Sequence, residues 1–240
     1  MLNGGTFRGN ASLHLSFMNT AVDHGTFAFV QSGGTFILPR SLFFARATYG
    51  LDLTYTIKGG RAEFAGYPSG YSRTMNFYNF DGGTVVFKGT SGASFADRAN
   101  FTMSVGGDVT FETDSATRTV YFPNDYTGDG AITFNGGGFL FSGAVNVSGL
   151  NVQTGSVTLG ESAQRAATGG TVLTVSKTAA LNLDYDGEMP FKTLKVGSHG
   201  RAAGVYSATQ GPAAVRNVLH GNGKLLILEG SAPGSVLSIR

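Results

Sequence analysis

The sequence predicts an all-β chain wound as a right-handed parallel β-helix, a β-solenoid, with a hairpin-like cap at its C-terminal end. Three observations lead there: a glycine-led strand unit that returns about every two dozen residues, apolar alternation inside that unit, and a composition rich in glycine and poor in charge.

The unit is Gly60-Arg-Ala-Glu-Phe64, Gly83-Thr-Val-Val-Phe87, Gly107-Asp-Val-Thr-Phe111, Gly130-Ala-Ile-Thr-Phe134 and Gly155-Ser-Val-Thr-Leu159, at intervals of 23, 24, 23 and 25 residues. A near-constant period of this length is the mark of stacked coils. In each copy the second and fourth residues after glycine are apolar, while the position between them holds Glu63, Val86, Thr110, Thr133 or Thr158. Successive strand side chains point to opposite faces, so one face is buried and the other wet. Coils stack about 4.8 Å apart, which predicts an interior ladder of Phe64, Phe87, Phe111 and Phe134.

Glycine suits the tight corners between faces, because it alone takes positive φ at no steric cost. Toward the N-terminus the pattern loosens to Gly5-Thr-Phe7, Gly25-Thr-Phe-Ala-Phe29 and Gly34-Thr-Phe-Ile-Leu38, consistent with insertions or an end cap. Leu13 to Phe17, Phe101 to Val105 and Val145 to Val147 alternate in the same way and supply the other faces. Residues 1–185 then form a solenoid of roughly eight coils, and residues 186–240 a capping segment. Strands at Lys192 to Val196, Ala203 to Tyr206 and Lys224 to Leu228 close the end, and Pro212 opens a helix of about two turns before His220.

Composition narrows the function. Charged residues are 13% of the chain, Gly 37 of 240, and apolar residues 41% with 19 Phe and 9 Tyr. That apolar content offsets chain entropy, so disorder is excluded. Like charges stacked between coils repel, whereas Thr, Asn and Ser columns do not, which accounts for the low charge. A net charge of +2 with scattered Lys and Arg leaves no basic stripe for nucleic acid. The absence of cysteine suits an exported chain, and no apolar run is long enough for a membrane helix. The N-terminus shows no signal-peptide pattern and opens in repeat sequence, as a fragment of a longer protein would.

Asn124-Asp-Tyr-Thr-Gly128 with Gly130-Ala-Ile-Thr-Phe134, and Gly169-Gly-Thr-Val-Leu-Thr-Val175, resemble the tyrosine-threonine-glycine turn and glycine-glycine-threonine strand of the autotransporter-associated β-strand repeat proteins of Gram-negative bacteria. Leu181 to Gly187, Lys192 to Gly197, Ala203 to Tyr206 and Gly221 to Leu228 resemble the terminal segment of such chains. The resemblance implies a secreted or surface-displayed passenger, stalk or adhesin outside a Gram-negative-type cell. It implies no active site.

The candidate chemistry is sparse, and no catalytic, cofactor-binding or metal residue is assigned. Asp184, Asp186 and Glu188 read as a polar turn after the Leu181 and Leu183 strand, with calcium as the alternative. Asn124 to Asp129 reads as a turn. A polysaccharide lyase or glycosidase on this scaffold needs carboxylates on neighbouring coils beside an Arg or Lys, and the column Glu63, Val86, Thr110, Thr133, Thr158 offers none. His14, His24, His199 and His220 read as solvated or turn residues. Tyr67, Tyr71, Phe77, Tyr78 and Phe80 form an aromatic stretch in which exposed tyrosines would stack on sugars; the plainer reading puts Phe77 in the core and the tyrosines over a loop. The expected chain is a monomeric, non-enzymatic structural or adhesive module whose partners are surface glycans or host polymers. A β-helical carbohydrate-active enzyme and a carbohydrate-binding β-sandwich are the rivals.

Overall fold

The computed structural model describes residues 1–9, 13–15, 25–38, 42–44, 51–65, 68–70, 76–88, 93–94 and 101–230. Of the described residues 56% are strand and 5% helix, and their mostly parallel sheets form a β-solenoid. Strands stack on three faces. The first face holds Gly25–Gln31, Leu51–Ile57, Asn76–Phe80, Phe101–Val105 and the opening residues of Tyr126–Asn135 and Val145–Val152. The second holds Thr6–Arg8, Thr35–Leu38, Arg61–Phe64, Thr84–Phe87, Val109–Thr113, the closing residues of the same two long strands, Val172–Val175 and Thr193–Val196. The third runs through Ala93–Ser94, Thr119–Phe122, Gly138–Phe141, Ser156–Gly160, Ala180–Asp184 and Leu219–Gly221, with Leu13–Leu15, Leu42–Phe44 and Pro68–Gly70 paired in a separate sheet.

The corner glycines are there for two reasons. Gly60 has φ +81°, and a Cβ on it would sit 2.3 Å from the Gly34 carbonyl oxygen. That same carbonyl accepts a hydrogen bond from the Arg61 backbone N–H at 2.9 Å, so one coil's corner carbonyl is the seat of the next coil. The arrangement repeats where Thr35 donates to Gly5, Thr84 to Gly60 and Thr110 to Gly83. A side chain there would both strain the backbone and displace a hydrogen bond.

From Thr35–Leu38 onward side-chain burial alternates along the second face, except at Val86, which is buried in an outward position. Phe7, Phe36, Ala62, Val85, Phe111, Phe134, Val152, Val175 and Val196 form one continuous column in register. From Phe36 onward every member is at most 2% exposed. The phenylalanine ladder is present but crosses two columns. Phe64 faces Phe87, and Phe111 faces Phe134, but Phe87 is paired with Thr113 and Phe111 with Val85. The coil from Thr84 to Thr110 is longer than the glycine spacing implies and shifts the register by two residues. Phe87 and Phe111 still meet diagonally, with ring centres 6.0 Å apart, as Phe111 and Phe134 do at 5.9 Å. Each such contact is worth about 0.5–1.5 kcal/mol beyond burial.

The fifth glycine unit belongs elsewhere. The rung above Ile132 and Phe134 is Leu150 and Val152, reached after only 18 residues from Thr133 to Asn151. Ser156–Gly160 instead stacks between Gly138–Phe141 and Ala180–Asp184 on the third face. The loose N-terminal units prove to be true rungs, with Thr6 and Phe7 facing Thr35 and Phe36 across a longer coil.

Parallel pairing continues past residue 185. Thr193–Val196 stacks on Val172–Val175 and Glu188–Phe191 on Lys224–Ile227, so the first of the three anticipated capping strands is a rung. Antiparallel closure comes from His199–Gly200 against Thr193–Val196, and from Gly204–Tyr206 against Lys224–Ile227. The anticipated helix is Ala213–Arg216, with Pro212 at its N-cap and Val215 buried. A second helix, Glu161–Arg165, lies between the third-face strand Ser156–Gly160 and the Val172–Val175 rung, and buries Ala163.

Candidate functional site

The register shift on the second face has a chemical consequence. The outward column reads Ile37, Glu63, Val86, Glu112 and Asn135, so the expectation of a column without a carboxylate pair is wrong. Glu63 and Glu112 stand two coils apart with cations beside them. Arg61 Nε donates to Glu63 Oε1 at 2.8 Å, and its Nη1 reaches Glu112 Oε2 at 2.8 Å. Lys88 Nζ lies 3.4 Å from Glu63 Oε2. The guanidinium spans the intervening rung, where Val86 is only 1% exposed although it occupies an outward position.

Burial against the sheet pushes the Glu63 carboxyl up, but the Arg61 hydrogen bond and the Lys88 charge outweigh it and hold the group below its usual range. The Glu63 hydrogen bond, opposed by burial and aided by Glu112, raises the Arg61 guanidinium further. A general acid at a glycosidic bond needs a raised carboxyl pKa and a free face. Glu63 has the opposite shift, and one guanidinium binds both carboxylates. The network ties coils together.

Asp184, Asp186 and Glu188 are exposed, and among the described residues no three His, Cys, Asp or Glu side chains gather to hold a metal. Between them Tyr185 turns inward, and its hydroxyl donates to the Lys224 carbonyl at 3.0 Å. His199 and His220 are exposed and lie in separate strands; His14's side chain and His24 fall outside the described residues.

Tyr78 is 1% exposed and Phe80 fully buried, so Tyr78 does not form a sugar-stacking surface or a loop cover. It lies in the first-face interior column between Tyr55 and Met103, with Tyr126 next. Burial raises its hydroxyl pKa, as it does for Tyr55 and Tyr126. Tyr67, Tyr71 and the Phe77 side chain lie outside the described residues. In the Asn124 to Asp129 stretch, Asp125 Oδ1 accepts from the Ala144 N–H at 2.7 Å, and Tyr126 begins a strand whose register shifts between Gly128 and Ala131.

Sequence reasoning missed a groove of about 270 Å³ lined by Asn151, Val152, Gln153, Thr174, Ser176 and Gly197. Its outward residues are amides on one rung and hydroxyls on the next, with Gly197 on the third. Only the true register, with Asn151 over Thr174, brings them together.

No protein-family model, curated protein or solved structure matches the chain. Among the described residues no helix is long and apolar enough to cross a membrane.

Proposed function

We propose that the chain is a non-enzymatic structural or adhesive module of a secreted or cell-surface bacterial protein, acting through the length and stiffness of a solenoid with a repetitive outer face. The observation that carries this reading is the continuous second-face ladder from Thr6 to Val196, in which Arg61, Glu63, Lys88 and Glu112 are organised as an inter-coil tie. Export to the surface of a Gram-negative-type cell is part of the proposal and is supported by the repeat resemblance and the lack of cysteine. Surface glycans or host polymers are the proposed partners, and the module is proposed to act as a monomer. The test is incubation with acidic and neutral polysaccharides followed by product analysis. Intact polymers are expected, and chain shortening would overturn the reading.

The rival reading, a polysaccharide-cleaving enzyme, draws on Glu63 and Glu112 with Arg61 and Lys88. It requires that any cleavage vanish in Glu63→Gln and Glu112→Gln.

A further inference from the structure

We infer that the groove over Asn151, Gln153, Thr174 and Ser176 binds an acidic oligosaccharide lying along the solenoid axis, an inference that rests on the adhesive reading above. The groove exists because two outward columns change size together. One runs Asn151, Thr174, Lys195 and the other Gln153, Ser176, Gly197, each step one rung. Gly197 contributes no side chain, and φ +59° with Lys177 Cε 3.0 Å from where a Cβ would sit keeps it so. The result is a trough of about 270 Å³, close to the lower end of small-ligand pockets at roughly 300 Å³.

Its lining favours a sugar. Two carboxamides on one rung and two hydroxyls on the next, about 4.8 Å above, both donate and accept, as sugar hydroxyls do. An oligosaccharide running up the axis therefore meets hydrogen-bonding groups on two successive rungs and Lys195 on the third. No aromatic platform lines the trough, so recognition is by hydrogen bonds and charge.

The charge is positive. The stem of Lys177 lies over Gly197, and Lys195 follows Thr174 in the outward column. Neither lysine is ion-paired among the described residues, and neither column carries Asp or Glu across these rungs. This is unlike the Arg61 network, where acid and base are matched. Hydroxyl-binding groups flanked by unmatched ammonium groups suit a uronate better than a neutral sugar.

The test titrates the full chain with hexagalacturonate and, as neutral match, maltohexaose. Saturable binding of the uronate alone is expected, weakening with added salt. Lys177→Ala with Lys195→Ala, and separately Gln153→Ala with Ser176→Ala, should each lower affinity about tenfold or more, while Lys224→Ala does not. Absence of uronate binding, equal binding of maltohexaose, or unchanged affinity in both double variants would overturn the inference. Shortened oligomers in the same mixtures would instead overturn the non-enzymatic reading.

Discussion

The two halves of the solenoid fill the same cross-section with different chemistry. Through Phe141 the interior is aromatic: Tyr55, Tyr78, Phe80, Phe111, Phe122, Tyr126, Phe134 and Phe141 are all at most 1% exposed, and the Phe122 and Phe141 rings stack at 4.6 Å. Beyond it the positions pass mainly to Val145, Leu150, Val152, Val157, Leu173, Val175, Leu181 and Leu194. The coil lengths fall as well, from 26 residues between Thr35 and Arg61 to 21 between Thr174 and Lys195. Side-chain size and coil length change together while the parallel ladder continues. The fold therefore asks for the alternation of inward and outward positions and tolerates much else.

The most severe way to break this equivalence is truncation within one shared column. Phe111→Ala should cost about 3–5 kcal/mol, because its neighbours are rings that cannot collapse into the space, whereas Val152→Ala in the same column should cost about 2 kcal/mol. Urea denaturation of the two variants measures the gap, and equal losses would contradict a rigid aromatic half. Corners should differ nearly as much. Gly60→Ala meets both positive φ and a carbonyl, for a loss of about 3 kcal/mol. Gly170→Ala, whose nearest neighbour would be Thr168 Oγ1 at 3.8 Å, should stay within about 0.5 kcal/mol in thermal melts.

A smaller contrast has opposite signs. The buried Tyr126 hydroxyl has no hydrogen-bond partner among the described residues, while that of Tyr185 donates to Lys224. Tyr126→Phe should gain up to about 1 kcal/mol and Tyr185→Phe lose about 1 kcal/mol, read from the same denaturation curves. The least effect concerns acid. The folded Glu63 pKa is depressed, so its contribution is full above the unfolded value of about 4.3 and is lost as pH falls through the folded one. At 16% and 28% side-chain exposure for Glu63 and Glu112, it should amount to no more than about 1 kcal/mol. Glu63→Gln should flatten that part of the stability profile below about pH 4.3.

Much of this architecture was legible in the residues. Alternation identified the buried side of each glycine-led strand, and Phe64, Phe87, Phe111 and Phe134 are all core. What the spacing concealed was register. Gly107 was matched to Gly83 by residue type, but the structure matches Thr110 to Thr84, and that two-residue step alone carries Glu112 into line with Glu63. In the same way the 18-residue coil to Asn151 moved Gly155 to Leu159 onto another face and hid the groove. A turn can gain or lose two residues without changing which side chains point inward, so inward parity survives in sequence while vertical neighbours do not. Tyr78 was misjudged for the related reason that its parity follows Phe80.

Gln31 is fully buried, its amide donating to the Arg61 carbonyl at 3.1 Å and its carbonyl accepting from the Tyr55 hydroxyl at 3.0 Å. It thereby ties its own coil to the next at two side-chain points, since Tyr55 and Arg61 both belong to that neighbouring coil. Under tension along the rod, layers would peel one at a time until this junction, where two buried side-chain bonds must break along with the backbone ladder. Stretching a single molecule would register that point as its own force peak, absent in Gln31→Leu.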